Sequence, residues 1–187
     1  MSDERVGADS APTRADPAEL AAAVRAAQRG DAIAMHELLD LVTPYVQRLC
    51  GPIALQDAAD ATQETLMVIL RRLGSLREPA ALFGWIRVIA VNEAVRVARS
   101  AARSRPAVWT LPDLPAPGDA ALGADIADVL SRLAPEQRAV LMLRDVEGFD
   151  EQRASELLEI PAGTVRSRLF RARRSFRKAW LDERSTS

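Results

Sequence analysis

Hydrophobic residues recur three or four positions apart in successive stretches of the chain, and this spacing predicts α-helices. No stretch alternates apolar and polar residues with the period of two that is typical of a half-buried strand. The pattern therefore predicts an all-α protein. The predicted helices span 17–29, 32–50, 56–73 and 79–103 in the first half of the chain, and 125–133, 135–145, 150–158 and 164–180 in the second.

Prolines and glycines mark where these helices bend or end. Pro44 lies inside the second predicted helix and is expected to kink it, and Gly51-Pro52 is expected to end it. Residues 104–124 contain four prolines and two glycines, which is typical of a linker. Residues 1–16 lack an apolar period and are expected to form a disordered tail. We therefore expect two small helical domains, residues 17–103 and 125–183, joined by a Pro-rich flexible linker.

The charge of the chain is unevenly distributed, although 25 Lys and Arg nearly balance 26 Asp and Glu. Seven cations and no acid lie between Arg166 and Lys178, whereas residues 145–159 hold six acids and one arginine. A short capped helix, a tight turn and a basic amphipathic helix are typical of a helix-turn-helix, whose second helix enters the major groove of DNA. The alternative is an ordinary solvated helix face. The context favours nucleic-acid binding.

The sequence gives little support to an enzyme. It has one cysteine, Cys50, and one histidine, His36, so it cannot form an internal disulfide or a Cys/His zinc site. His36 has no nucleophile motif beside it and is interpreted as structural, and Cys50 as a buried packing residue rather than a redox sensor. No Gly-rich phosphate-binding motif occurs. We expect no catalytic activity and no cofactor.

The targeting signals of the sequence are also few. The N-terminus lacks the apolar run of a signal peptide, and no window approaches 18 apolar residues. We therefore expect no membrane span and a cytoplasmic location.

Four segments resemble the bacterial extracytoplasmic-function (ECF) sigma factors. Ile160 to Arg174, IPAGTVRSRLFRARR, resembles the second half of the region 4 helix-turn-helix, and Leu133 to Phe149 resembles the start of that region. Asp57 to Leu66, DAADATQETL, resembles region 2.2, and Phe83 to Arg99 resembles regions 2.3 and 2.4. The blocks occur in the order of the family. The resemblance therefore implies that residues 17–103 are region 2 and residues 125–183 are region 4.

The resemblance also implies partners and site residues. The partners are core RNA polymerase, through its β′ clamp and β subunits, promoter DNA that is melted at its −10 element, and an anti-sigma factor. The implied polymerase-binding residues are Asp57, Asp60, Gln63, Glu64, Arg71 and Arg72. The implied −10 residues are Trp85, Arg87, Asn92, Glu93 and Arg96, of which Trp85 is better interpreted as core. The implied −35 residues are Thr164, Arg166, Ser167, Arg168, Phe170 and Arg171, with Arg173 and Arg174 on phosphates.

Four positions depart from what many family members carry. Val91 stands where Arg is frequent, Arg96 where Asp is frequent and Glu151 where an aromatic residue is frequent. Glu159 stands where the turn of the helix-turn-helix often has Gly. A left-handed residue is unfavourable for Glu, so either the turn differs or the chain absorbs about 1 kcal/mol of strain.

Two other interpretations remain open from the sequence. One is a helix-turn-helix regulator that binds duplex DNA without polymerase, with residues 17–103 as an effector or dimerisation domain. The other is a helical adaptor whose arginine helix binds an acidic protein.

Overall fold

The computed structural model describes residues 16–104 and 120–184, and every regular element in them is helical. The expected all-α class is confirmed. Short 3-10 turns at Leu55–Asp57, Leu73–Ser75 and Pro79–Ala81 join the early helices, and a π-helical turn at Met142–Val146 follows α6. The α-helices are α1 (Pro17–Gln28), α2 (Ala32–Ala54), α3 (Ala58–Arg72), α4 (Leu82–Ser104), α5 (Ala120–Ser131), α6 (Pro135–Leu141), α7 (Glu151–Leu158) and α8 (Ala162–Arg184).

Aspartate caps set three of the helix starts. The Asp31 carboxylate accepts hydrogen bonds from the backbone N–H groups of Ile33 (3.0 Å) and Ala34 (3.1 Å), which have no partner inside α2. Asp16 caps α1 in the same way, and Asp150 caps α7. These short-range bonds explain why the predicted starts of the three helices agree with the structure to within a residue or two.

The predicted end of the second helix at Gly51-Pro52 is wrong. Helix α2 continues through Pro52 to Ala54, and it also contains Pro44. A proline inside a helix costs about 3 kcal/mol, but each fully buried aliphatic side chain stabilises by about 1.5–3 kcal/mol. Leu49 and Ile53 are fully buried in this part of α2, and together they offset the penalty of Pro52.

Other boundaries also differ from the prediction. The expected linker was 104–124, but helix α5 begins at Ala120, so residues 120–124 of that linker are helical. The remainder of that linker, 105–119, and residues 1–15 of the expected tail lie outside the described residues. The predicted helix over 135–145 divides into α6 and the π-helical turn, and α8 extends further than residue 180.

The two halves of the chain pack against each other. Helix α2 lies between α3 and α4, while α8 packs on α6 and α7 to form the helix-turn-helix. Helix α6 contacts α2 and α4, and α7 contacts α4, so that one buried apolar cluster includes residues of both halves. The division into two domains therefore stays a prediction. None of the described helices is both long and apolar enough to cross a membrane.

Candidate nucleic-acid interface

Helix α8 presents an arginine face to solvent. Val165 and Leu169 point into the buried cluster, while Arg166, Phe170 and Arg173 flank this buried stripe and are exposed to solvent. Phe170 is 67% exposed, although it is a large apolar residue, and it lies among cationic side chains. The same helix carries the other implied −35 residues, Thr164, Ser167, Arg168, Arg171 and Arg174.

The turn before α8 contains the strain that the sequence raised as one of two alternatives. Glu159 has φ 52 and ψ 41, so it adopts the left-handed conformation. The Ser155 hydroxyl donates to the carbonyl oxygen of Ile160 (2.6 Å), and the Ile160 N–H returns a bond to the Ser155 carbonyl (3.2 Å). These bonds hold the turn in place, and the Glu159 backbone absorbs a cost of about 1–2 kcal/mol.

Two arginines of α8 are paired with carboxylates of preceding elements. Arg166 donates from Nε (3.0 Å) and Nη2 (2.8 Å) to the two oxygens of Glu151 at the start of α7. Arg173 donates from Nε (3.1 Å) and Nη2 (2.5 Å) to Asp145 in the π-helical turn, and this contact raises the pKa of Arg173. The structure thus gives a role to Glu151, the residue that replaces the frequent aromatic.

The implied polymerase face on α3 is only partly as expected. Asp60, Gln63, Arg71 and Arg72 are exposed and Glu64 is half-exposed. Asp57 instead is 5% exposed, so it does not belong to the outward face. It lies near Arg138, where burial lowers the pKa of the guanidinium to about 10 although the charges of Glu136 and Asp57 oppose that shift.

Two apolar residues of the same helix were missed. Met67 and Leu70 are 42% and 50% exposed on α3. Their signal in the sequence is that neither belongs to the buried stripe of α3, Ala61, Thr65 and Ile69, from which they are offset by one or two positions.

The implied −10 residues on α4 are not brought together at one exposed surface. Arg87 is 4% exposed and lies between the two halves of the chain. Asn92 donates to the carbonyl oxygen of Leu157 in α7 at 3.5 Å, and Trp85 is half-buried against the core, as the interpretation of this residue as core requires. Glu93 is half-buried, and Arg96 remains exposed.

The structure explains why Arg96 and Val91 differ from the residues that are frequent in the family at these positions. Arg96 donates to Glu93 (2.6 Å) on its own helix and to Glu64 (3.1 Å) on α3, so an acid at this position would face two carboxylates. Val91 is fully buried, where a frequent Arg would leave a charge without water.

A buried polar seam joins the two halves, and sequence reasoning missed it. Glu147, with a side chain 3% exposed, lies 3.4 Å from Arg87 and 3.5 Å from Arg48. The guanidinium of Arg87 also lies over the ring of Phe149, 4.6 Å from its centre. Arg138 donates to the carbonyl oxygen of Ile53 at 2.7 Å. Glu147 lies in the acidic stretch 145–159, but that pattern alone does not name its partners.

The isolated histidine and cysteine lie apart from these surfaces. His36 is exposed beside Asp40, 3.4 Å away. Cys50 is buried as predicted, 3.8 Å from the hydroxyl of Thr65, and burial raises the pKa of its thiol to about 11.

Comparison with known proteins relates the chain to RNA polymerase sigma factors. The family described as "Sigma-70, region 4" matches residues 124–176. The chain is 29% identical to the RNA polymerase sigma-H factor of Pseudomonas aeruginosa, over 83% of this chain and 91% of the relative. It is 33% identical to the ECF RNA polymerase sigma factor SigE of Mycolicibacterium smegmatis, over 79% of this chain and 63% of that protein.

Two solved structures share the fold. One is the sigma factor RpoE in complex with the anti-sigma factor NepR from Bartonella quintana (TM-score 0.61, 24% identity, 77% of this chain and 94% of that one). The other is CnrH in complex with the cytosolic domain of CnrY (TM-score 0.58, 21% identity, 90% and 99%). The matches to named sigma factors over most of the chain favour the sigma-factor interpretation over the regulator and the adaptor. The chain therefore carries a region 4 of the Sigma-70 family and is similar over most of its length to ECF RNA polymerase sigma factors.

Proposed function

We propose that this chain acts as an ECF sigma factor that binds core RNA polymerase through α3, reads a −35 element with α8 and a −10 element with α4, and performs no chemistry itself. In this proposal residues 17–103 act as region 2, 104–124 as the linker and 125–183 as region 4. The observation that carries the proposal is the outward arginine face of α8, which follows a capped helix and a tight turn.

The cations of α8 suit duplex DNA. Arg168, Arg174 and Arg177 make no ion pair with other described residues, so they are available to phosphates. Each phosphate neutralised by a cation releases counterions, which gives a salt slope of about −0.9 per contact. Four to six such contacts predict a slope of roughly −4 to −5 in log affinity against log salt.

The exposed face of α3 suits a protein partner. Met67 and Leu70 supply apolar area, and Asp60, Gln63 and Glu64 supply polar groups around it. A small apolar centre with a polar rim is the usual anatomy of a protein interface. We assign this face to the β′ clamp, while the contact with the β subunit is proposed from family membership alone.

Promoter binding requires the two halves to separate. The −35 and −10 positions lie about 25 base pairs apart, which is about 85 Å along B-form DNA at about 3.4 Å per base pair. Helix α7 touches α4 in this structure, so α8 and α4 cannot reach both elements together. A chain of 15 residues, the length of 105–119, spans at most about 50 Å when extended. The width of the two halves contributes the rest of the distance between the promoter elements. Separation exposes Asn92 and Arg87 for the −10 element.

We also propose an anti-sigma partner that holds the two halves together. The support is that RpoE, one of the two fold relatives, was solved with the anti-sigma factor NepR bound, and that the halves here already contact each other. Transcription from the target promoter is expected to rise when the gene for that partner is deleted. Equal transcription after deletion of every neighbouring regulatory gene contradicts this part of the proposal.

Run-off transcription tests the main proposal. The purified chain is mixed with core polymerase that lacks any sigma factor, and transcripts are measured across a pool of promoter fragments. We expect sequence-selective transcripts that disappear with Asp60→Arg/Glu64→Arg. The matched control is Glu37→Arg/Asp40→Arg, which reverses the charge of two exposed acids on α2. We expect this variant to retain the sequence-selective transcripts. DNA binding by the chain alone, without transcripts or polymerase association, contradicts the proposal.

A further inference from the structure

The pairing of Arg166 with Glu151 leaves a defined edge of the guanidinium unused. Glu151 accepts from Nε and one N–H of Nη2, which is the side of the guanidinium nearest the chain. The remaining N–H of Nη2 and both N–H groups of Nη1 point away from that carboxylate. Two parallel N–H groups at this outer edge match the O6 and N7 acceptors of guanine in the major groove.

The position of Arg166 suits base reading. It is the fifth residue of α8, whose N-terminal part is the segment that reaches base edges when a helix-turn-helix docks. Its side chain is 76% exposed, while the Glu151 carboxylate is 29% exposed and therefore better fixed. Arg173 has a similar carboxylate partner, but it lies about 10 Å further along the helix, beyond that N-terminal part.

The ion pair with Glu151 makes Arg166 better suited to a base edge than to a phosphate. A paired carboxylate weakens the attraction of an arginine for phosphate more than it weakens hydrogen bonding to a base edge, because phosphate carries a net charge and the base edge is neutral. The pair also limits the rotamers of Arg166 before DNA arrives, so less conformational entropy is lost on binding. Arg168 and Arg174 have no such carboxylate among the described residues and suit phosphates instead.

We propose that Glu151 is a positioning residue that holds Arg166 side-on, so that the outer edge of Arg166 reads a guanine in the −35 element. The inference rests on the proposed use of α8 for that element. Glu151 touches no base itself, and it acts on specificity through Arg166. Its expected effect is therefore confined to one base position.

The test uses the full chain bound to core polymerase and a promoter selected by run-off transcription, with its −35 bases randomised. Enriched sequences are counted for the wild type, Glu151→Gln, Arg166→Ala and the control Glu156→Gln. Glu156 is an acid on the same helix that pairs with Arg153, so its substitution removes the same charge without touching α8. Thermal melting of each variant confirms that it is folded.

We expect the wild type and Glu156→Gln to prefer guanine about tenfold or more at one position, as a good bidentate contact gives. Arg166→Ala abolishes that preference, and Glu151→Gln lowers it to about twofold while the other positions keep theirs. Retention of the full guanine preference by Glu151→Gln, or a uniform change at all positions, overturns the inference. If Arg166→Ala and Arg171→Ala both keep every −35 preference, the proposed use of α8 fails as well.

Discussion

Glu147 and Arg87 lie 3.4 Å apart, and both side chains are almost completely buried between the two halves of the chain. Arg87 comes from α4, which family resemblance assigns to the −10 element, and Glu147 directly follows the π-helical turn of the other half. Single-turn π segments occur often at functional positions, and this one brings a carboxylate to two arginines. The pair therefore connects the two segments that, under the proposed function, separate when both DNA elements are bound.

Glu147→Gln is expected to loosen the contact between the halves. Removing one partner of a buried ion pair costs about 3–5 kcal/mol, because the other charge remains buried. Separation of the halves returns Arg87 to water and avoids most of that cost, so we expect opening rather than unfolding. Small-angle scattering should show a larger radius of gyration, with Glu156→Gln as a charge-matched control. An unchanged scattering profile contradicts this prediction.

Glu159→Gly is expected to stabilise the protein. Glu159 has φ 52, and glycine adopts this conformation without the clash of a Cβ atom. The gain is about 1 kcal/mol, measured as the free energy of unfolding in urea. Glu159→Ala keeps the Cβ atom and is the control, since it should give no comparable gain. Equal stability of the two variants argues against strain at this turn.

Stability is expected to fall as the pH rises from about 9 to about 11, in part because of Cys50. Burial raises the pKa of this thiol from 9.0 to about 11, so the folded state holds its proton more tightly than the unfolded state. The contribution is complete below pH 9 and is lost as the pH rises through 11. A shift of this size corresponds to about 2–3 kcal/mol.

Cys50→Ala should reduce that alkaline loss, as measured by urea unfolding at a series of pH values. Tyr45 does not interfere below pH 10, because burial raises its pKa from 10.0 to about 12. The same pH dependence in Cys50→Ala and in the wild type assigns the loss to other groups.

Arg174→Ala is expected to weaken DNA binding equally for all sequences. Arg174 has no ion-pair partner among the described residues and is assigned to a phosphate. Loss of one phosphate contact should make the slope of log affinity against log salt less negative by about 0.9. Fluorescence anisotropy at several salt concentrations measures this slope for the full chain bound to core polymerase. Arg132→Ala, directly after α5 and paired with Asp128, is the control and should leave the slope unchanged.

Local patterns in the sequence were sufficient for the helices. Apolar spacing and the caps Asp16, Asp31 and Asp150 define most helix starts, because a helix is formed by contacts between residues a few positions apart. The end of α2 was predicted wrongly at Gly51-Pro52. The helix continues because Leu49 and Ile53 are buried against other helices. Local helix propensity does not include such contacts.

The candidate site shows the same division. The cationic face of α8 follows from spacing within one helix, and the similarity of residues 133–149 and 160–174 to region 4 agrees with the family match over 124–176. The burial of Asp57 and Arg87, the seam around Glu147 and the hold of Glu151 on Arg166 join residues that are far apart in the chain.

The sequence by itself therefore determined the helical class, the helix-turn-helix and the charge that DNA requires. Only the tertiary structure decided which of those charges face solvent and which are paired. The physical reason is that helix formation and amphipathicity depend on local spacing, whereas burial and ion pairing depend on how distant helices pack.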